Sequence, residues 1–471
     1  MSRHALRNSG ILAGSDCWLL ASGVPRMATY PFTATLFRRC EVVRMLGAWL
    51  ARFVAAAVIM LKLSSAAMAE DWPRFRGPTG QGISSEKNLP LHWGPQENVA
   101  WKTAIPGEGW SSPIIYGDNI FVTATTDEGR QCHVICIDRL TGRLRWNTTV
   151  FEQEVRKKRA ENSHATPTPV TDGQHVYAVF SSGGIAAVDY AGRPVWTNRE
   201  VDFYSHHGLA ASPILHEDLL IMPFDGSSSG ENNRIGWKIP WEEAVVLAVD
   251  KHTGKIRWRG KRGPSRLGHV TPNVLVEDGQ ALIVSGCGDR VQAFHPETGK
   301  LVWSIYSQGE GVTPSIVIGD GLVFSCSGFE APTIRVIRTG GQGDVTKSHI
   351  AWEQTRGVPS MASPLYVEPY LYAVTDAGIA TCYEAATGKV VWQQRIEGKY
   401  SSSPVNADGK IYFMTENEVN TLVIAAGPKF QELAKNTIGE KCQASMAISQ
   451  GNIFIRSEKH LFCIGPQPGK N

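Results

Sequence analysis

One sequence unit recurs along most of the chain and decides what the chain can fold into. Its clearest copy is VICIDRLTGRLRW, from Val134 to Trp146. It starts with a short apolar run, which is followed by a turn between Asp138 and Gly142 and then by apolar residues that alternate with arginines. This pattern predicts a buried strand, a tight turn and a half-buried strand that ends on a large aromatic residue.

The unit returns as AVDKHTGKIRW, AFHPETGKLVW and CYEAATGKVVW, and also in shortened and stretched copies. A Ser-Pro or Thr-Pro pair runs in phase with it before another short strand, where proline suits the first position because that residue needs no ladder hydrogen bond. Four short strands per unit at this period predict a β-propeller. The repeated tryptophans lie 40 to 62 residues apart, and we expect all of them to be structural core residues: Trp101, Trp146, Trp196, Trp258, Trp303, Trp352 and Trp392.

The two ends of the chain predict how the ring closes. The strand around Trp101 has no partner strands upstream, and the last unit has three strands with no tryptophan strand behind it. An amino-terminal strand that completes the last blade removes both open edges. We therefore predict an all-β protein, an eight-bladed propeller of four-stranded antiparallel blades. Seven blades is the alternative, because Leu433 stands roughly where tryptophan is expected and Ser445-Met446 replaces Ser-Pro.

Residues 1–69 are predicted to be an over-extended start plus a signal peptide. Met45 is the expected true start, the apolar run FVAAAVIML follows it, and Ala67-Met68-Ala69 fits the small-x-small rule for cleavage after Ala69. The apolar run is short for a membrane span, although an uncleaved anchor is the alternative. The absence of cysteine at the cleavage point argues against a lipid anchor. An exported protein in the periplasm or outside the cell is expected, with no transmembrane span after cleavage.

Residues 70–96 are rich in glycine and proline, and we expect them to form an extended N-terminal arm that runs over the surface before the propeller of residues 97–467. The formal net charge of +3 comes from residues 1–69, which hold 8 Lys and Arg against 2 Asp and Glu. The remainder carries 39 basic against 42 acidic residues, which argues against nucleic acid as a partner.

Seven cysteines follow residue 69, and the repeat explains three of them. Cys136, Cys382 and Cys463 take the strand position that Ala187 and Ala248 hold in other units, so we expect small buried packing residues. No cysteine cluster has the spacing that would predict a metal site, and none is assigned.

Two long insertions are expected on one face of the propeller. One separates the first two blades, and the other contains GSSSGENNRIGWKIPWEE in the third blade. Loops on a rigid scaffold commonly carry function, so we place a candidate ligand site at the mouth of the central channel on this face. Imidazoles and cations there could hold an anion, although solvated loop histidines are the alternative. The candidate ligand-binding residues are Trp110, Arg159, His164, His206, His207, Arg266, His269, Arg356 and Tyr400.

The sequence gives no catalytic signature. GWSSP is not a nucleophile elbow, and no zinc-protease, phosphate-loop or dinucleotide glycine motif is present. We assign no catalytic residue, and the enzyme question stays open with a leaning towards no.

The pattern A-x-D-x-x-T-G-K-x-x-W, best kept in AVDKHTGKIRW, resembles the tryptophan-docking repeat of pyrroloquinoline-quinone (PQQ) propellers. From about residue 71 to 465 the chain is similar to PQQ-binding-like β-propeller repeat proteins. Many of these are exported and begin with a W-P-x-F-R-G-P arm, here Trp72 to Pro78. They are often compared with the outer-membrane assembly factor BamB, a scaffold without enzymatic activity. The resemblance implies the propeller fold and leaves the activity open.

Quinoprotein dehydrogenases of the wider group bind PQQ beside calcium, and they commonly use a vicinal disulfide and an aspartate base. This chain has no Cys-Cys pair, and none of those catalytic residues carries over. The leading hypothesis is an exported, non-catalytic binding or scaffold module for a protein or polysaccharide partner in the cell envelope. The alternative is a PQQ- or metal-dependent oxidoreductase with its site at the channel mouth, with PQQ and calcium as the cofactors.

Overall fold

The computed structural model describes residues 70–307, 309, 312–328, 330–416 and 421–469, so the predicted start and signal peptide lie outside the described residues. The strands form eight separate sheets, each with four antiparallel strands that follow one another along the chain in seven of the eight. The first strands of the last and first blades contact each other, which closes a ring. The protein is an eight-bladed β-propeller, and the alternative of seven blades is wrong.

In each blade the first strand is nearest the central channel and the fourth is outermost. Blades 1 to 4 comprise Ile114–Tyr116, Asn119–Thr126, Gln131–Asp138 and Leu144–Glu152; Val170–Thr171, His175–Val179, Ile185–Asp189 and Pro194–Asn198; Ile214–His216, Leu219–Phe224, Val245–Asp250 and Ile256–Lys261; and Asn273–Glu277, Gln280–Gly286, Arg290–Phe294 and Leu301–Tyr306.

Blades 5 to 8 comprise Val317–Gly319, Leu322–Ser327, Thr333–Arg338 and Ile350–Gln354; Leu365–Val367, Tyr370–Val374, Ile379–Glu384 and Val390–Arg395; Val405–Ala407, Lys410–Met414, Thr421–Ala425 and Glu432–Asn436; and Ala447–Ser449, Asn452–Arg456, His460–Ile464 and Val99–Ala104. Short added elements are the strands Ile83–Ser84 and Gly343–Asp344, the helix Thr346–His349 and the 3-10 turn Asp127–Gly129. Within the described part of the chain, no helix is long and apolar enough to cross a membrane.

The amino-terminal strand completes the last blade, as the sequence predicts. Val99–Ala104 pairs antiparallel with His460–Ile464, and Trp101 lies opposite Cys463. The fourth strand of blade 8 therefore comes from the start of the propeller, so the ring is held shut by backbone hydrogen bonds rather than by side chains alone.

Neighbouring blades are joined by the repeated tryptophans. The indole N–H of Trp196, on the outer strand of blade 2, donates to the carbonyl of Lys251 in the turn of blade 3 at 2.9 Å. The same bond of 2.8 to 3.1 Å links five more blade pairs. The other donors are Trp101, Trp146, Trp258, Trp352 and Trp392. This docking explains why the tryptophan and the Thr-Gly turn recur together.

Glycine is required in the docked turn for two reasons. Gly254 has φ of +73°, and a Cβ built on it would lie 2.4 Å from the Trp196 ring. The flat indole ring therefore packs directly on the backbone of the next blade, where any side chain would push the two blades apart. In the turns of blades 1, 2, 4 and 6, a Cβ built on the glycine would likewise lie 2.4–2.8 Å from the docked tryptophan ring.

Trp303 does not dock like the others. It is buried, but its indole N–H has no hydrogen-bond partner among the described residues. Blade 5 has a longer connection between its third and fourth strands, within which Gly343–Asp344 pairs in parallel with Trp303–Ser304. A fifth strand on blade 4 thus replaces the side-chain dock with backbone hydrogen bonds.

Blade 7 lacks a docking tryptophan altogether, and the amino-terminal segment supplies one. By strand register the missing position is Ala434, which pairs with Val423, rather than the neighbouring Leu433. Trp93 is buried and stacks on Tyr412 of the same blade with ring centroids 6.4 Å apart. Its backbone N–H donates to the Asn436 side chain at 3.0 Å, which fixes the segment on the blade.

The cysteines are packing residues, as the repeat predicts. All seven in the described part are free and buried. Cys136 and Cys382 lie directly opposite the docking tryptophans of their own blades, where only a small side chain fits beside the ring. Burial raises the pKa of both thiols to about 12, so they stay protonated and unreactive at neutral pH.

Residues 70–86 occupy the central channel, and we call them the channel plug. The Trp72 backbone pairs with Ile115 of the first strand of blade 1, and the Gln81 side chain bonds the backbone of Ile318 in blade 5. Ile83–Ser84 adds a parallel strand to the inner edge of blade 7. Further hydrogen bonds reach the innermost part of blades 2, 4, 6 and 8.

The expectation that this segment runs over the surface is wrong. Trp72 has no exposed surface and Arg76 is 1% exposed. The glycine and proline content of the segment is typical of a linker. Its backbone groups and the side chains of Arg74, Arg76 and Gln81 nevertheless form hydrogen bonds at the inner strands of seven blades. Its contacts lie near the carboxyl ends of the first strands, where Gly/Asp turns lead into the second strands. We call this side of the propeller the turn-bearing face, and the plug closes the channel there.

Replacing Gly254 by alanine tests the docking contact. Gly254→Ala should lower the free energy of unfolding by about 3 kcal/mol, because a strained positive φ and an overpacked ring contact add together. Gly279→Ala is the matched control, since it has φ of +77° but open space around its Cβ and should lose only about 1 kcal/mol. Urea unfolding gives both values, and equal losses would contradict the docking explanation.

Removing Trp93 tests the replacement dock. Trp93→Ala should lower the free energy of unfolding by about 3–5 kcal/mol, the usual result of deleting a buried tryptophan. Trp237→Ala, at a half-buried loop position, should lose clearly less. Thermal melting followed by circular dichroism compares the two, and a Trp93 variant as stable as the wild type would show that blade 7 needs no tryptophan.

Candidate functional site

The end of the channel opposite the plug is a cavity of about 580 Å³. Phe75 of the channel plug lies at its base, and its wall is formed by residues that lead into the first strands of the blades. The connections after second and fourth strands emerge at this end, which we call the loop-bearing face. The cavity is therefore closed at the plug end and open at the other, where long loops surround its mouth. We call this cavity the cup.

The cup wall is a belt of hydroxyl groups, one from each blade. The Thr168 hydroxyl accepts a hydrogen bond from the Ser112 backbone N–H at 2.9 Å, and the Ser212 hydroxyl accepts from the Thr168 N–H at 3.0 Å. In the same way, the Ser403 hydroxyl accepts a hydrogen bond from the Ser363 N–H, and the Ser445 hydroxyl accepts one from the Ser403 N–H. We call these residues the hydroxyl belt: Ser112, Thr168, Ser212, Thr271, Thr313, Ser363, Ser403 and Ser445.

The belt explains the repeated Ser-Pro and Thr-Pro pairs. Six of these hydroxyl side chains accept a hydrogen bond from a backbone N–H of the preceding blade, at the point where the blades crowd together around the channel. Sequence analysis found the motif but assigned its meaning to proline. The recurrence of a hydroxyl residue in all eight units, including Ser445 before Met446, was the signal for a shared role.

Two histidines line one side of the cavity as neutral rings. His207 and His269 have ring centroids 6.1 Å apart at nearly a right angle. Burial, and to a lesser degree the neighbouring His207, lowers the pKa of His269 to about 3. Burial, together with His206 and Arg159, lowers the pKa of His207 to about 4. Both imidazoles are therefore uncharged at neutral pH.

The charged groups of the lining occur as matched pairs. Arg159 lies 3.5 Å from Glu161, and Lys399 lies 3.0 Å from Glu416. All four residues line the cavity. Since each cation has a carboxylate beside it, the cup presents polar groups to a ligand with little net charge.

The structure brings together part of the predicted site. Trp110, Arg159, His207 and His269 line the cavity, and His206 lies beside it, stacked on Trp237 with centroids 4.5 Å apart.

The other predicted residues lie elsewhere. His164 is buried and its Nδ1 bonds the Ser181 hydroxyl at 2.8 Å, whereas Arg266 pairs with Asp289 and Glu330 in a separate depression. Tyr400 is buried and donates to the backbone of Glu397, and Arg356 is exposed outside the lining.

Several lining residues escaped the sequence analysis. Glu161 and Asn162 follow Arg159 directly in the first insertion, so their position near the channel mouth was readable. Trp237 lies in the middle of the second insertion, and Glu416 follows the second strand of blade 7. Nothing in the local sequence around these two residues points to the channel, because only the loop conformation brings them there.

The lining does not fit PQQ with calcium. PQQ carries three carboxylates, but the cations Arg159 and Lys399 are already paired with glutamates. All described cysteines are free, so no vicinal disulfide covers a quinone. No group of three or more His, Cys, Asp or Glu side chains in the described part of the chain is placed to hold a metal ion.

Comparison with known proteins identifies the family. The family model for PQQ_2, described as "Outer membrane protein assembly factor BamB", matches residues 94–231, 242–363 and 342–427. The chain belongs to this family. These matches cover more than half of the chain and include most of the docking tryptophans.

A curated relative is the outer membrane protein assembly factor BamB of Bordetella pertussis, 25% identical over 232 residues, or 47% of this chain. The chain spans half the length of that relative. The crystal structure of BamB from Moraxella catarrhalis has a TM-score of 0.54 at 14% identity, and covers 79% of this chain and 98% of that one.

The fold is shared with an enzyme as well. Quinohemoprotein alcohol dehydrogenase from Comamonas testosteroni has a TM-score of 0.59 at 11% identity, and covers 84% of this chain and 81% of that one. At this identity the likeness concerns the fold alone, since a propeller hosts many unrelated functions.

Acid should destabilise the protein through the buried histidines. The ordinary pKa of histidine is 6.5, so below that pH the unfolded chain binds protons that folded His269 does not. The free energy of unfolding is therefore highest above pH 6.5. Below that pH it should fall by about 1.4 kcal/mol per pH unit for each such group as the pH drops towards 4. His269→Phe should reduce this slope and the exposed-site control His92→Phe should not, as measured by urea unfolding between pH 4.5 and 7.5. An unchanged slope in His269→Phe would mean that this ring does not titrate as described.

Proposed function

We propose that this protein is an exported, non-catalytic binding module that holds a protein of the cell envelope against its loop-bearing face. Membership of the BamB family supports a binding propeller, and the curated relatives are named as factors of outer membrane protein assembly. The proposal takes from them the class of function and leaves the partner of this chain to experiment.

The observation that carries the proposal is the gathering of structured loops on one face. The first insertion, residues 153–169, and the second, residues 225–244, both contact the loop of residues 199–213. Asn162 donates to the carbonyl of His207 at 3.0 Å, and Trp237 stacks on His206. The three loops therefore form one continuous surface instead of separate mobile segments.

This surface has the character of a protein-binding site. Val155 is 45% exposed and Ile239 is 41% exposed, one on each insertion. Salt bridges of Arg156 with Glu154 and Asp202 lie on the first insertion, and Lys238 pairs with Glu330 beside the second. Apolar groups surrounded by polar and charged ones are typical of interfaces between proteins.

The chemistry of the cup supports a non-catalytic role. Its histidines are neutral, and its carboxylates Glu161 and Glu416 are paired with cations. A nucleophile with an adjacent base, or a pair of carboxylates with opposed protonation, is the usual basis of hydrolytic chemistry. The lining offers neither arrangement in the described residues.

Charge substitutions on the insertions test the proposed surface. The double variant Val155→Asp and Ile239→Asp should weaken partner binding at least tenfold, because each carboxylate would lose its hydration at the interface. Val276→Asp is the matched control: Val276 is 68% exposed, but it precedes a turn on the opposite face.

The measurement uses a photo-reactive residue at position 239, followed by identification of the crosslinked protein in envelope fractions. The dissociation constant of that protein is then measured for the wild type and the variants. Loss of binding in Val276→Asp but not in the double variant would place the interface on the opposite face and contradict the proposal. The absence of any crosslinked protein would contradict the binding role.

A further inference from the structure

The cup contains hydrogen-bonding groups that the protein itself does not use. His269 is 5% exposed, and neither of its ring nitrogens has a partner among the described residues. An unpaired buried polar group costs about 1–3 kcal/mol, so proteins rarely keep one without a reason. The neutral ring offers one donor and one acceptor, and it lines the cavity.

The hydroxyl belt adds further donors around the same space. Thr168, Ser212 and Thr271 each accept a backbone N–H from the preceding blade. A hydroxyl that accepts in this way still has its own proton to donate, and these three donate to no other described residue. Since all three line the cavity, their protons are available to whatever occupies it.

The remaining groups select against charge and favour a flat apolar face. The rim cations and carboxylates neutralise each other in pairs, and both lining histidines are uncharged. Trp110 and Trp237 are half-buried at the lining and offer aromatic surface. The combination of many uncharged donors and acceptors with aromatic surface suits molecules whose hydroxyl groups surround apolar C–H faces.

We propose that the cup binds a small uncharged polyhydroxylated ligand of the size of a mono- or disaccharide. The volume of about 580 Å³ lies within the range of roughly 300–1,000 Å³ for small-molecule sites. The channel plug closes the far end, so such a ligand enters and leaves only through the loop-bearing face. Glu161 and Trp237 of the two insertions reach the lining. The test therefore uses the isolated protein, so that its result does not depend on the proposed protein partner.

The test measures binding of chosen probes to the protein of residues 70–471. Methyl β-glucoside and cellobiose are the uncharged probes, and glucuronate and glucosamine are their charged counterparts. Saturation-transfer NMR detects binding, and calorimetry gives the dissociation constants. The uncharged probes should bind saturably and at least tenfold more tightly than the charged ones. No saturable binding of either uncharged probe, or equal binding of a charged one, would overturn the proposal.

Variants locate the binding in the cup. His269→Phe keeps the ring shape but removes both nitrogens, and should weaken binding at least tenfold. Ala210→Phe fills the cavity from its half-buried wall and should abolish binding without removing any polar group. Ala191→Phe, at an exposed turn, is its control and should bind like the wild type. Circular dichroism shows which variants fold, and a folded Ala210→Phe variant that still binds would place the ligand elsewhere and refute the site.

Discussion

The docking of an indole ring on the turn of the next blade is the contact on which this ring depends. A four-stranded blade buries little surface by itself, so stability comes from the faces between blades. Five of the six docks combine a hydrogen bond of about 3 Å with ring packing on a glycine backbone, as between Trp196 and Gly254. Because the tryptophan belongs to one blade and the glycine to the next, the contact sets both the spacing and the rotation of neighbouring blades.

The two places where docking fails show how strongly it is needed. Blade 5 has a longer connection between its third and fourth strands, and a short parallel strand at Gly343–Asp344 takes over the contact with Trp303. Blade 7 has Ala434 in place of tryptophan, and Trp93 arrives from the amino-terminal segment to stack on Tyr412. The compensation differs in each case, but both keep the outer layer of the ring continuous.

The sequence predicted the fold far better than it predicted the site. Periodicity shows the blades, the docking tryptophans and the closure by Val99–Ala104, because each of these repeats or completes a local pattern. The site depends on contacts that no period encodes. Glu416 and Trp237 reach the cup only through loop conformation. The channel plug has the composition of a linker, and its partners, such as Ile115 and Ile318, lie on strands far away in the sequence.

Local contacts decide which of the predicted ligand residues reach the cup. His207 and His269 precede first strands closely enough to be carried to the channel by the blade itself. Arg266 and His164 have comparable positions in the sequence, but carboxylates and a serine hydroxyl hold them away from the cup. Competition between local partners, which one sequence does not display, decides between such candidates.

The route of the amino-terminal segment fixes the order in which the molecule can form. Gln81 bonds to Ile318, Trp93 bonds to blade 7, and Val99–Ala104 pairs with His460–Ile464. The first residues of the propeller therefore find their partners only after the last residues have been synthesised. Contacts of such high sequence separation form slowly, since the loop they close must be ordered first. A chain emerging end-first through a narrow pore could stack individual blades but could not shut the ring. Its inner strands and edges therefore stay open to solvent until the last blade has emerged.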